Sequence, residues 1–151
     1  MIAILQRVSR ASVKVDGEIK GKIDKGFMIL LGVANGDTEE DAALLAEKIA
    51  KMRVFTDEND KLNLSVNDIG GSLLVVPNFT LLASYKKGNR PDFLGSAAPA
   101  EAKRLFDYFT DYIGNLVPGT QKGVFGAHME VELVNDGPIT IPMDSRILKK
   151  S

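Results

Sequence analysis

Apolar residues alternate with polar ones toward both ends of the chain and recur at helical spacing in two stretches between them. Ile2, Ile4 and Val8 begin a strand, and Val13-Lys14-Val15-Asp16-Gly17-Glu18-Ile19-Lys20 alternates around a central Asp-Gly. Asp-Gly supplies the positive φ angles of a two-residue type I′ turn, so a hairpin is expected there. Phe27-Met28-Ile29-Leu30-Leu31-Gly32-Val33 reads as a strand covered on both faces, and so does Ser72-Leu73-Leu74-Val75-Val76, halted by Pro77. Asp37 with Glu40 three residues on resembles a capping box, opening a helix to about Arg53 with Ala42, Leu45, Ala46, Ile49 and Met52 on one stripe. A second helix is expected from Pro99, with Ala102, Leu105, Phe106, Phe109, Tyr112 and Ile113 on its apolar face and Gly114 or Gly119 as its stop. Met129, Val131 and Leu133 form one strand. Ile139, Ile141 and Met143 begin another, with Asn135-Asp136-Gly137 as the hairpin turn between them. The predicted class is α+β: a mostly antiparallel, barrel-like sheet with two helices packed against it, in one domain over residues 1–151.

Composition narrows the chemistry. The chain has no cysteine, hence no thiolate nucleophile, no soft metal site and no disulfide framework, as expected for a cytoplasmic protein. Its single histidine, His128, lies on the polar side of its strand beside Glu130 and Glu132, which reads as solvated or structural. Asp57, Glu58 and Asp60 lack the glycine and closing glutamate of a calcium loop and read as a surface turn, so no metal or other cofactor is expected. A net charge of −1 excludes wholesale coating by nucleic acid but leaves room for a local basic patch. The loop Tyr85-Lys86-Lys87-Gly88-Asn89-Arg90 is such a patch: three cations and an aromatic that could hold phosphates, or a solvated loop. Met1 to Leu5 is too short for a signal segment, and Phe27 to Ala34 too short to span a bilayer.

Two runs stand out. Asn78 and Thr80 follow directly on a buried strand, where polar side chains either satisfy local backbone groups or line a pocket. Pro138 sits in a turn that needs no proline, as the Asp16-Gly17 hairpin illustrates. It deletes a ladder donor and raises the chance of a cis bond after Gly137, whose backbone no Cβ covers.

Over nearly its whole length the chain resembles the D-aminoacyl-tRNA deacylase family. The matching runs are Ile4-Leu5-Gln6-Arg7-Val8, Ala11-Ser12-Val13-Lys14-Val15-Asp16-Gly17, Leu31-Gly32-Val33 with Gly36-Asp37, and Lys61-Leu62-Asn63-Leu64-Ser65. Then come Gly70-Gly71, Leu74-Val75-Val76, Phe79-Thr80-Leu81, Lys87-Gly88 with Arg90-Pro91, Phe125-Gly126-Ala127 and Val134-Asn135-Asp136-Gly137-Pro138. The resemblance implies hydrolysis of the ester joining a D-amino acid, or glycine, to the terminal adenosine of tRNA, by a homodimer and without DNA or membrane partners. It implies that Gly137 and Pro138 of one subunit reach the pocket of the other through a cis bond and exclude L side chains, braced by Arg7. It assigns oxyanion stabilisation to backbone N–H groups around Asn78, Phe79 and Thr80, assistance to the RNA 2′-OH, and the terminal adenosine to Phe125, Gly126 and Met129. Lys86, Lys87 and Arg90 are expected on tRNA phosphates.

The chain departs from the family at Pro77-Asn78, where Ser-Gln is usual, and at Val124, where arginine is common. A sister group of animal deacylases also begins this motif with proline, holds its Gly-Pro trans and accepts small L-amino acids; the intact Asn135-Asp136-Gly137-Pro138 favours the D-specific reading. Two other classes remain open on sequence: a dimer that binds aminoacyl-tRNA without turning it over, and an interaction domain with no RNA ligand.

Overall fold

A computed structural model describes residues 1–150. The strands are β1 (Ile2–Val15), β2 (Glu18–Ile23), β3 (Gly26–Gly32), β4 (Phe55–Thr56), β5 (Leu62–Leu64), β6 (Ser72–Pro77), β7 (Thr120–Lys122) and β8 (Glu130–Asp144). The helices are α1 (Glu39–Lys51) and α2 (Pro99–Leu116), with short 3-10 helices at Phe79–Leu82 and Ser145–Leu148.

β1 organises the sheet. Along one edge it pairs antiparallel with β3 through Ile2–Val8 and then with β2 through Ala11–Val15; along the other it pairs antiparallel with β8. β3 continues into β6 and β6 into β7, both in parallel. β2 folds back over β6 and β7, where the Lys22 N–H donates to Gln121 Oε1 at 2.7 Å. That contact brings the sheet close to barrel closure. β4 and β5 form a separate two-stranded hairpin.

Period-two alternation divides the apolar residues between two cores. Ala3, Leu5, Phe27, Ile29, Leu31, Leu73 and Val75 pack under the stripes of α1 (Ala42, Leu45, Ala46, Ile49) and α2 (Ala102, Leu105, Phe106, Phe109, Ile113). Val8, Ala11, Val13, Ile23, Met28, Leu74 and Val76 fill the curve of the barrel. β3 and β6 therefore have no polar face, which is why their sequences run apolar without a break.

Three expectations are corrected. α1 is capped by Thr38, not Asp37, with the Thr38 N–H donating to Asp41 Oδ2 at 2.9 Å. Asp37 is committed elsewhere: it accepts the Ala34 N–H at 2.7 Å and the Met1 ammonium at 2.9 Å, so the helix starts one residue later. Gly114 lies inside α2, which runs on to Leu116 and stops before Pro118-Gly119, because Val117 remains in the core. Finally, Asn135-Asp136-Gly137 is not a hairpin turn. β8 is a single strand whose two halves pair with β1 in the same sense, from Lys14↔Glu130 to Ile2↔Asp144. Between Val8↔Asn135 and Gln6↔Thr140 the chain bulges, with Asp136–Ile139 opposite Arg7 alone. A partner strand as long as β1 leaves β8 no need to turn.

One largely buried polar network joins the N-terminus, the first turn of α1 and the C-terminal 3-10 helix. The Met1 ammonium donates to Ser145 Oγ at 2.8 Å, Ser145 Oγ donates to Asp41 Oδ1 at 2.6 Å, and Lys149 Nζ lies 3.1 Å from the same carboxylate. Burial would push the Asp41 carboxyl up, but bonds from Ser145, the Thr38 N–H and Lys149 outweigh it and hold the group at about 2. A carboxyl held low in the folded state contributes stability above its unfolded value of 3.8, and that contribution, about 2 kcal/mol, disappears as the pH falls through about 2. Asp41→Asn should lower the melting temperature at neutral pH and flatten the loss of stability between pH 4 and 2, both read by thermal unfolding across pH.

Candidate active site

The first site run grows out of the end of β6. Val75 turns its carbonyl to the Gly123 N–H at 2.8 Å, and the Asn78 N–H turns the opposite way to the Leu31 carbonyl at 2.8 Å. Pro77 shares the orientation of Val75, but β7 has ended by then, so its missing N–H leaves no ladder bond unmade. Asn78, in extended conformation, caps the 3-10 helix that follows. Its Oδ1 accepts the Thr80 N–H at 3.2 Å and also the Thr80 hydroxyl. The next N–H, that of Phe79, has no acceptor among the described residues. The Phe79 ring is exposed and meets Phe93 edge-on, with centroids 5.1 Å apart. The Thr80 hydroxyl is spent on Asn78, with no imidazole or carboxylate bonded to it.

The segment after β7 lies against this run. A Cβ on Gly123 would stand 3.4 Å from Pro77 Cδ and 2.8 Å from Met129 Sδ, so Met129 comes close beside Pro77 only because residue 123 has no side chain. Phe125 packs on Phe106 with centroids 6.2 Å apart, and Gly126 turns the chain with φ +80°. Phe125, Gly126 and Met129 thus belong to the segment that leaves Gly123, with Met129 on the side of Pro77 and Val76 and Phe125 on the side of α2. Val124 is exposed there, and His128 is solvent-facing. Tyr85, Lys86, Lys87 and Arg90 project from the loop that leaves the 3-10 helix, all exposed.

The second run lies elsewhere in the sheet. Gly137 and Pro138 are exposed at the bulge of β8, and the peptide bond between them is cis. Arg7, on the same face of β1 as Ala3 and Leu5, extends a buried guanidinium beneath the bulge. Its Nε donates to the Asp136 carbonyl at 3.1 Å; its Nη1 donates to the Val54 carbonyl at 2.9 Å and to Thr56 Oγ1 at 3.2 Å. The Asp136 carboxylate stands 3.4 Å from Nε. Asn135 locks the other side of the bulge, donating through Nδ2 to the carbonyls of Arg7 and Ile139, each at 3.0 Å. A bulge is a flexible element unless tied, and this one is tied at both flanks.

Arg7, Gly137 and Pro138 are therefore brought together, and Met129 comes close to Pro77, at the start of the Asn78–Thr80 run. The two groups are not brought to each other. β1 and β3 lie between β8 and β6, three strand spacings or about 14 Å across the sheet. Among the described residues no cluster of histidine and carboxylate side chains is arranged to hold a metal. Sequence reasoning missed Val54 and Thr56, which anchor Arg7, and Phe93, which seats the Phe79 ring. No periodicity marks them, because each acts through one long-range contact.

Comparison with known proteins places the chain. Residues 4–144 match the family model described as D-Tyr-tRNA(Tyr) deacylase. A D-aminoacyl-tRNA deacylase of Caldicellulosiruptor saccharolyticus is 55% identical over 146 residues, covering 97% of this chain and 98% of that protein. One from Vibrio cholerae is 54% identical over 140 residues, covering 93% and 96%. Among solved structures, the c-Myc DNA Unwinding Element Binding Protein is similar with a TM-score of 0.90 at 37% identity, covering 95% of this chain and 98% of that one. A probable eukaryotic D-amino acid tRNA deacylase shares the fold, with a TM-score of 0.80 at 16% identity. The chain belongs to the D-Tyr-tRNA(Tyr) deacylase family.

Proposed function

We propose that this protein hydrolyses the ester between a D-amino acid, or glycine, and the terminal adenosine of tRNA, as a cytoplasmic proofreading step. The observation that carries the reading is the Phe79 N–H: a backbone donor on an exposed residue, with no acceptor of its own among the described residues, in a chain that has no thiol and whose one histidine, His128, faces solvent. Such a site suits a reaction in which oxygen nucleophiles come from water and the RNA while the protein supplies donors for the developing charge. Water adds to the ester carbonyl carbon, with the adjacent ribose hydroxyl assisting. The carbonyl oxygen gains negative charge and is held by the Phe79 N–H, joined by the Thr80 N–H once Asn78 Oδ1 releases it. The bond to the ribose oxygen then breaks, that oxygen takes the proton, and amino acid and tRNA part. Phe125, Gly126 and Met129 hold the adenosine, and Lys86, Lys87 and Arg90 approach the phosphates.

The chirality filter is assigned to the second run, acting across a homodimer. Three strand spacings keep Gly137 and Pro138 away from Phe79 in one chain, yet both are exposed, and β8 pairs with β1 on one edge only. In this reading the bulge of a second copy closes over the site of the first. Its carbonyl oxygens accept from the substrate ammonium, and its backbone fills the space an L side chain would need. Arg7 fixes those carbonyls through Asp136.

Paired D- and L-tyrosyl-tRNA test the assignment: the D form should be hydrolysed and the L form left intact. Equal cleavage of D- and L-alanyl-tRNA would instead support the relaxed sister group.

Two variants probe the parts. Phe79→Pro removes the unpartnered N–H at the first position of a helix, where proline fits and the extended Asn78 can precede it. Turnover of D-tyrosyl-tRNA should fall about a hundredfold, the usual effect of deleting one oxyanion donor, while Phe79→Leu keeps the donor and most of the rate. Gly137→Ala places a Cβ 2.9 Å from the Ile139 nitrogen and 3.4 Å from Arg7 Nη2, at a φ of +133° that L residues rarely adopt. The bulge must deform, so kcat/KM on the D substrate should drop at least about tenfold, as one misplaced acceptor implies. Because Gly137 is exposed, circular dichroism should show the fold intact.

A further inference from the structure

The loop Ser84–Gly95 is held at its two ends, and between them it exposes more ring and charge than a mere connection needs. The Ser84 N–H donates to the Asp92 carbonyl at 2.8 Å and the Asp92 N–H returns the bond at 2.9 Å. Asp92 Oδ1 accepts the Leu94 N–H at 3.2 Å, Asn35 Nδ2 donates to the Leu94 carbonyl at 2.7 Å, and the Asn35 N–H donates to the Gly95 carbonyl at 2.9 Å. Phe93 seats the loop on the Phe79 ring.

Its outer surface has an unusual make-up. Tyr85 is 84% exposed and Leu94 82%, and with Phe79 at 57% they carry exposed apolar surface from the Phe79 site out along the loop. Lys86, Lys87 and Arg90 flank it, against the single carboxylate of Asp92. None of the three cations forms an ion pair among the described residues, whereas Lys103, Arg104, Lys122, Arg146 and Lys149 all do. An exposed ring between uncompensated cations matches single-stranded nucleic acid, which offers a π-face and a phosphate at every step.

We propose that this loop is a subsite for the unpaired nucleotides next to the terminal adenosine: the Tyr85 ring stacks on one base, Leu94 borders it, and Lys86, Lys87 and Arg90 hold the intervening phosphates. The inference rests on the deacylase reading, and adds the path by which the RNA strand leaves the Phe79 site. It separates two kinds of contribution. Stacking adds affinity that depends little on salt, whereas phosphate contacts release counterions and set the salt slope.

The experiment measures binding of a short 5′-labelled RNA oligonucleotide ending in CCA by fluorescence anisotropy across salt concentrations. It also measures hydrolysis of D-tyrosyl-tRNA and of D-tyrosyl-adenosine, the ester without the rest of the strand. Tyr85→Ala should weaken oligonucleotide binding about tenfold at every salt concentration, and Tyr85→Phe should restore it. Lys87→Ala with Arg90→Ala should flatten the salt slope. On D-tyrosyl-tRNA, Tyr85→Ala should raise KM about tenfold with kcat within about twofold, and hydrolysis of D-tyrosyl-adenosine should not change. Unaltered oligonucleotide binding by Tyr85→Ala would overturn the subsite, as would an equal loss on tRNA and on the adenosine ester, which marks a structural role for the ring. Wild-type protein that cleaves neither ester would overturn the deacylase reading, and the oligonucleotide measurement would still decide the subsite.

Discussion

A buried guanidinium must find acceptors or destabilise the fold that holds it, and Arg7 meets that demand by tying the start of the β4–β5 hairpin to the bulge of β8 from its place on β1. It occupies a position on β1 where the alternation of Ala3 and Leu5 would place another apolar side chain. From there it donates to the Val54 carbonyl just before β4, to the Thr56 hydroxyl within β4, and to the Asp136 carbonyl at the bulge of β8. The small β4–β5 hairpin, too short to be stable alone, thereby shares one anchor with the Gly137–Pro138 bulge. Asn135 ties the opposite flank. The outcome is an exposed stretch of backbone, with no Cβ at Gly137, held from beneath on both sides. In the proposed role as an excluding surface the stretch needs that rigidity, because a yielding backbone would accommodate what it is meant to refuse.

The sheet also imposes a separation. Because β1 and β3 stand between β8 and β6, the bulge and the Phe79 donor cannot meet within one chain. The donor run is itself partly closed: Asn78 Oδ1 sits on the Thr80 N–H much as a substrate carbonyl oxygen would, leaving Phe79 as the one open donor. The short amide of asparagine lets residue 78 cap its own helix, with Oδ1 reaching the Thr80 N–H at 3.2 Å. Pro77 is accommodated for a different reason, since it lies past the end of β7 with Gly123 against its ring.

Much of this was legible in the sequence, though unevenly. The Asp16-Gly17 hairpin, the two helical stripes and the two fully buried strands follow from local turn chemistry and from periodicity, which act over a few residues. The bulge at Asn135–Pro138 reads locally as a hairpin because Asn-Asp-Gly is turn chemistry; only the length of β1, its distant partner, makes it a bulge. β4, β5 and β7 are two or three residues long and owe their pairing to tertiary contacts, so no pattern announces them. The start of α1 moved by one residue because Asp37 answers to the ammonium of Met1 rather than to its own helix. At the site, the resemblance pointed to Asn78, Phe79, Thr80, Gly137 and Pro138, and the structure shows where each of them lies. The sequence could not reveal that the Thr80 N–H is already engaged, or that Arg7 depends on Val54 and Thr56, since both are single contacts fixed by the folded geometry.

The central claim is that a working site takes its oxyanion donor from one copy and its chirality filter from another. Mixing the two impaired variants, Phe79→Pro and Gly137→Ala, after denaturation and joint refolding tests it most directly. A two-fold dimer with shared sites predicts that the equimolar mixture recovers about a quarter of the wild-type rate on D-tyrosyl-tRNA, because half the dimers are mixed and each of those carries one intact site. A mixture no more active than the two variants measured separately would contradict it.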